Sequence, residues 1–346
     1  MSLLLTTIIE KITKLADTKQ KEIIKIINGF LETEEKEQKE TELKVIELKK
    51  NQQKKEGVIC PHCSSREIIG FGEYRDRKRY RCKKCSKTFN DMTGTPLSGT
   101  HYMDKWQQYF EHMANGDILS KTAESLDINI KTSFHWRHKI LNGFRNANCD
   151  KLEGIVESDE VFFLYSEKGK KKKITPSRKR GGVARKRGLS NEQVCVLTAC
   201  NRENLLVGEV AGTGKISTKE IENVFGDTIK KGSVLCTDEN SSYREYAANH
   251  DLTHETVNIS KKQRIKNKIY HIQTINSYHS RFKNWMERFH GVASKYLSNY
   301  FNWFKVLETT KKEDNQIYQM INCSVAKDSI FSIGQITKGY TQFLGK

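Results

Sequence analysis

Two carboxylates, an amide and four thiols are the groups whose spacing in this sequence could do chemistry. The run GIVESDEVFFLY, residues 154 to 165, sets Glu157, Asp159 and Glu160 in an extended apolar stretch. Alternate side chains of a strand point to opposite faces, so Glu157 and Asp159 are expected to share one face and Glu160 to take the other. A buried carboxylate there is costly unless a cation accompanies it. In SVLCTDENSSY the apolar strand Val234 to Cys236 ends at Asp238, just before a helix. Carboxyl ends of strands are where α/β sheets gather their ligands. HIQTINSYHSRFKNWMERFH predicts a helix beginning near Asn276, with Asn276, Lys283 and Glu287 on one face. Two carboxylates and an amide carbonyl can hold Mg2+ or Mn2+, hard cations that take oxygen ligands. A pair of such ions, about 3.5 to 4 Å apart, would activate a water or a 3′-hydroxyl for in-line displacement at a phosphodiester. Taken singly, each residue has a plainer reading: Asp238 as a helix N-cap, Asp159 as an exposed strand carboxylate, Asn276 as a cap or a surface amide.

The thiols form a second constellation. Cys60 and Cys63 make one C-x2-C and Cys82 and Cys85 another, with 18 residues between Cys63 and Cys82. That is zinc-ribbon spacing, in which two tight turns bring four thiolates to one tetrahedral Zn2+, a closed structural site. The rival readings are four unrelated buried thiols or redox pairs. Between the pairs, GFGEYRDRKRYRC reads as a polar β-hairpin with five basic residues from Arg75 to Arg81, Arg79 among them, turned toward phosphates.

The elements that must position these groups follow from periodicity. Residues 1 to 57 carry apolar positions at helical spacing and then a Glu/Lys/Gln-rich stretch, which predicts two helices followed by a solvated helix or a linker. Residues 58 to 90 are a small separate module. Within 100 to 148, ILSKTAESLDINIKTSFHWRHKIL reads as a helix from Ser120, a turn at Asp127 to Asn129, and a second helix from Thr132 to Leu141. A tight pair of this kind can place its second helix in the major groove, offering Lys131, Ser133, His135, Arg137 and His138 as donors, or it can be an ordinary helical hairpin. From Gly154 onward short β-branched runs (194 to 200, 205 to 210, 234 to 236) alternate with helical stretches, including one from about Ser217 to Lys230. That alternation predicts an α/β domain.

The formal charge of +18 over 346 residues points to a polyanionic partner, nucleic acid first. It is concentrated between residues 166 and 190, where 11 basic side chains, including Arg178, Lys179, Arg180, Arg185, Lys186 and Arg187, face the single acid Glu167. A disordered charged loop is the plain reading of that run, and such a loop can fold on DNA. Lys283 would then contact DNA as well. No apolar run reaches the roughly 18 residues needed to span a bilayer, and nine cysteines with four in a metal spacing suit a reducing compartment. An intracellular protein is expected, in cytoplasm or nucleoid if bacterial.

The ordered set CPHC with RYRCKKC, TFNDMTGTPL, KTAESLDINIKTSFHWRHKIL, VESDEVFF, TDENSSY and NSYHSRFKNWMERFHGVASKYLSNYFNWF resembles bacterial insertion-sequence transposases of the DDE superfamily, in the zinc-ribbon branch known as the insertion sequence 1595 family. The resemblance covers residues 58 to 306. It implies an α/β, RNase H-like catalytic domain over 153 to 306, a mixed five-stranded sheet with flanking helices, preceded by the zinc ribbon and the helix-turn-helix and followed by a tail from 307 to 346. It implies metal ligands at Asp159 and Asp238 and a third ligand seven residues before a Lys. Asn276 stands seven before Lys283, where the superfamily usually has Glu, and Glu287 is the reserve ligand. The implied reaction is metal-dependent cleavage at the ends of a mobile element and transfer of the freed 3′ end into target DNA, by a homo-oligomer. A DNA-binding regulator with an inactive catalytic domain and a metal-dependent structure-specific nuclease are the rival functions.

Overall fold

The computed structural model describes residues 17–74, 77–146, 151–169, 182–258, 265–313 and 315–325. One helix, α1 (Asp17–Glu56), runs through both the second expected helix and the charged stretch after it. Its Glu/Lys/Gln-rich half is not wholly solvated, because Thr41 and Val45, one turn apart, are buried. Thr41 Oγ1 donates to Gln107 Oε1 at 2.6 Å, which ties the helix to α2 (Trp106–Ala114). The apolar positions before residue 17 lie outside the described residues.

The cysteine module is a three-stranded antiparallel sheet in the order β1 (Ile68–Tyr74), β2 (Arg77–Cys82), β3 (Thr88–Asn90). β1 and β2 form the hairpin expected from the polar run, with Ile69 opposite Arg81 and Gly70 opposite Tyr80. Arg77 Nε donates to Glu42 Oε1 at 2.8 Å, so the hairpin is anchored on α1.

Three helices follow. α2 leads to α3 (Leu119–Ser125) and α4 (Ile130–Asn146), joined by a four-residue turn in which Asp127 takes a left-handed conformation with φ 46°. Ala123 and Leu126 point inward as expected. α4 is longer than its periodicity indicated, and Trp136 on it stacks on Trp106 of α2 with ring centroids 4.3 Å apart.

The larger sheet has five strands in the order β6-β5-β4-β7-β8. They are β4 (Ile155–Leu164), β5 (Gln193–Asn201), β6 (Leu206–Thr213), β7 (Val234–Thr237) and β8 (Thr253–Thr256). β4, β5 and β6 are antiparallel, whereas β7 and β8 run parallel to β4. β5 sits inside the sheet and is buried from Val194 through Asn201, which explains its unbroken apolar run. One face carries α5 (Thr218–Phe225) and α6 (Ser241–Asn249), with Ile221, Phe225, Tyr243 and Tyr246 packed on Leu197 and Leu235. α5 ends at Phe225, short of Lys230, because the chain turns at Gly226, whose φ is 44°. The other face carries α7 (Gln273–Glu287) and α8 (Leu297–Thr310), and α9 (Gln316–Val325) packs behind them.

That second face has no boundary with the helices before it. Trp106, Tyr109, Phe110, Trp136 and Phe144 from α2 and α4 share one core with Phe282, Trp285, Phe301 and Trp303 from α7 and α8 and with Met320 and Ile321 from α9. Trp303 Nε1 donates to the Met113 carbonyl of α2 at 3.0 Å. No helix among the described residues is long and apolar enough to cross a membrane.

Candidate active site

The pairing of β4 with β7 sets the site. Ile155 lies beside Val234 and Glu157 beside Cys236. Parallel strands advance together, so the same register puts Asp238 abreast of Asp159. β7 ends at Thr237, leaving the edge of β4 open from there. One carboxylate oxygen each from Asp159, Glu160 and Asp238 lie within 4.8 Å of one another. Asp238 is not the cap of α6: that is Asn240, whose Oδ1 accepts from Ser242 N at 3.2 Å. Asp238 Oδ1 accepts from Asn240 N at 3.0 Å, which fixes the turn.

Glu160 takes the other face of β4 from Asp159, as expected, and still joins the cluster. The two side chains do leave β4 toward different helices. The Asp159 carboxylate lies 3.7 Å from His279 Nδ1 on α7, while Glu160 Oε1 accepts from Asn240 Nδ2 at 3.3 Å beside α6. At an unpaired strand edge the longer Glu side chain can still bring an oxygen back to the shared point.

The site is short of positive charge. Burial pushes the Asp159 carboxyl up to about 6, with the Asp238 charge adding, against the Glu160 backbone N–H and the Lys283 ammonium. Burial, then the charges of Asp159 and Asp238, push Glu160 up to about 7. Crowded, half-desolvated carboxylates of this kind bind a proton or a hard cation to relieve repulsion. The donor set therefore fits a divalent cation.

Glu157, on the face it shares with Asp159, has a different task. Its Oε2 accepts from the backbone N–H groups of Thr274 at 2.8 Å and Ile275 at 3.0 Å, and its Oε1 is bonded by the Arg202 guanidinium. It caps the start of α7 from another strand, where the exposed N–H groups and the helix dipole favour an anion. α7 begins at Gln273, so Asn276 stands inside its first turn and not at its cap.

Asn276, Lys283 and Glu287 are all exposed on α7. Between Asn276 and Lys283, on the same stripe, lies His279, which the sequence reading missed. Its Nε2 is 2.7 Å from Thr198 Oγ1, and that hydroxyl donates to the Asp159 carbonyl at 3.0 Å. Burial, helped by the Lys283 charge, pushes the imidazole down to about 4. The signal was available: position 279 is three after 276 and four before 283, the spacing that aligned the other two.

The four cysteines of the ribbon converge. Sγ of Cys60 is 3.6 Å from that of Cys85, and Sγ of Cys63 is 3.6 Å from that of Cys82. Four thiolates bound at roughly 2.3 Å in a tetrahedron stand about 3.8 Å apart, so the group can hold a metal ion. The two turns are built alike: Ser64 N bonds to Cys60 O and Ser86 N to Cys82 O, both at 2.9 Å, with φ 58° and 60° at the two serines. N–H groups of the second turn, that of Cys85 foremost, hold the Cys82 thiol down to about 7.

The basic residues singled out for DNA separate into groups. Arg79 lies over the exposed Phe71 ring, 5.2 Å from its centroid, and Lys131, His135, Arg185, Lys186 and Arg187 are exposed. Arg178, Lys179 and Arg180 lie outside the described residues. Arg137 is a correction. It is 1% exposed, its Nη2 donates to the Asp117 carbonyl at 2.7 Å, and its guanidinium sits 4.9 Å from the Trp303 ring centroid. It clamps α4 to the core and presents nothing to a base edge. Ser133 and His138 are buried on the same side of α4.

A mixed sheet that gathers acids at a strand end, beside a four-thiol module, defines an α/β protein with two clusters that could hold metal ions. Residues 151–305 match the model of the ISXO2-like transposase domain, that of insertion sequence 1595. Over that segment the chain is similar to the insertion sequence 1595 family of transposases, the family its motifs resemble. A protein of Halobacterium salinarum described as an uncharacterized protein in transposable element ISH50 is 28% identical over 257 residues, 72% of this chain and 85% of the relative. Among solved structures, a pre-cleavage Mos1 transpososome is 11% identical, covering 65% of this chain and 79% of that one, with a TM-score of 0.20. The Mos1 mariner paired end complex with Mn is 12% identical, covering 65% and 78%, with a TM-score of 0.23. Scores that low carry no argument about this chain.

Proposed function

We propose that this protein is a DNA transposase with an RNase H-like catalytic domain, which cleaves the ends of an insertion sequence and transfers them into target DNA. The observation that carries the reading is the meeting of Asp159 and Asp238 at the open edge of β4, inside a segment that matches a transposase family model. Asp159 and Asp238 would hold Mg2+ or Mn2+, with the Asn276 carbonyl as the third donor. When bound, such ions lower the barrier to attack by water or a 3′-hydroxyl on a phosphodiester. The chain's own residues do the remaining work. Lys283 is exposed on the stripe of α7 that passes the site and would neutralise a DNA phosphate. Glu157 holds the start of that helix against β4, which fixes where Asn276 and Lys283 stand.

The cysteine module would hold structural Zn2+ and turn Arg79 toward the DNA backbone. α3 and α4 would act as a helix-turn-helix with Lys131 and His135 outermost, and the segment around Arg185, Lys186 and Arg187 would add phosphate contacts. Two element ends must be held together for joining, so the working form is a homo-oligomer on DNA. Incubation with Mn2+ and labelled duplexes ending in the element's inverted repeats tests the whole reading. Cleavage and joined product are expected, and Asp159→Asn or Asp238→Asn should each lower the rate by at least a hundredfold. Binding with no cleavage would favour the DNA-binding regulator, and cleavage with no joined product would favour the nuclease.

A further inference from the structure

We propose that Glu160 is the third carboxylate ligand of the divalent-cation site, supplying the negative charge that an asparagine at position 276 cannot. The inference rests on the reading of Asp159 and Asp238 as cation ligands given above.

Three observations converge on it. The first is position: a Glu160 oxygen lies within 4.8 Å of those of Asp159 and Asp238, the sole carboxylate group of that compactness among the described residues. The second is charge. An amide contributes a carbonyl oxygen without charge, so a site of Asp159, Asp238 and Asn276 offers only two negative charges to hard divalent cations, and affinity for such cations rises with the number of charged ligands. The third is what holds Glu160. Its partners are neutral, Asn240 Nδ2 at 3.3 Å and the Tyr243 hydroxyl. Glu157, on the same strand, is by contrast met by Arg202 and two helix N–H groups. A partly buried carboxylate given only neutral donors is left with an uncompensated charge, which a bound cation would offset. The two neutral donors fix its direction without neutralising it.

The competing role is structural, with Glu160 serving only as an acceptor for Asn240 and Tyr243. Glutamine separates the two, because it keeps an acceptor oxygen and loses the charge. Mn2+ binding to the full zinc-loaded chain, read from the free-Mn2+ electron paramagnetic resonance signal, is compared for wild type, E160Q, E160D, D238N and N276A. At least tenfold weaker binding is expected in E160Q, as in D238N, with a smaller loss in N276A, whose amide brings no charge, and with E160D binding more tightly than E160Q. The metal-free thermal midpoint of E160Q should rise, since one of three crowded charges is gone, and its further rise on adding Mn2+ should shrink. Binding within twofold of wild type in E160Q, while D238N loses it, would overturn the role of Glu160 and leave the Asp159–Asp238 site standing. Binding unaffected in D238N as well would overturn both.

Discussion

Two carboxylates two residues apart on β4 behave oppositely because of what faces them. Glu157 meets Arg202 and the N–H groups that open α7, whereas Asp159 meets a second acid, Asp238, across the strand edge. Removing Glu157 leaves buried N–H donors without an acceptor. Glu157→Ala should therefore cost about 3 kcal/mol by urea unfolding, the scale of lost charge-assisted hydrogen bonds in a buried setting. Glu157→Gln, which keeps one acceptor, should cost less. A second residue-scale prediction concerns pH. His138 is packed between Phe134 and Tyr296, and burial, with the charges of Arg137, Lys295 and His135 adding, pushes its imidazole down to about 3. An unfolded chain takes up that proton near pH 6.5, so the stability His138 allows above that pH is lost as pH falls toward 3. By pH 5 the loss is about 2 kcal/mol. His138→Gln should be less sensitive than wild type when unfolding is compared at pH 7.5 and pH 5.

At the scale of elements, close approach replaces chemistry as the constraint. A Cβ added to Gly143 on α4 would lie 2.1 Å from the Ser324 carbonyl oxygen of α9, so the two helices touch through backbone. Gly143→Ala should push α9 outward, cost about 1 to 3 kcal/mol in overpacking, and speed amide hydrogen exchange over residues 316–325. Much of this architecture was legible beforehand. The cysteine spacing gave the ribbon and its hairpin, and the apolar runs at 194, 205 and 234 became β5, β6 and β7. Asp238 could be placed at a strand end because an apolar run stops there. Glu160 could not, since alternation along one strand says nothing about where the neighbouring strand stops. Arg137 was misread because a basic residue on a polar-looking helix resembles a DNA donor. Only tertiary contact shows that Trp303 and the Asp117 carbonyl claim it. α1 was divided in the sequence reading because its polar half lacks an apolar stripe, although Thr41 and Val45 give it a buried edge.

Across the whole molecule, the aromatic core that joins α2 and α4 to α7, α8 and α9 separates two notions of a boundary. The match to the family model runs from 151 to 305. The apolar lid over Trp285, Trp303 and Phe304 is made by residues on both sides of that interval. A fragment cut at those limits would bare the rings, and it should aggregate on expression where a 17–325 fragment stays monodisperse by size-exclusion chromatography. If α3 and α4 grip DNA as proposed, the shared interior would act as a ruler, since a helix pair packed into the same core as α7 would hold a fixed span from the gripped sequence to the cut bond.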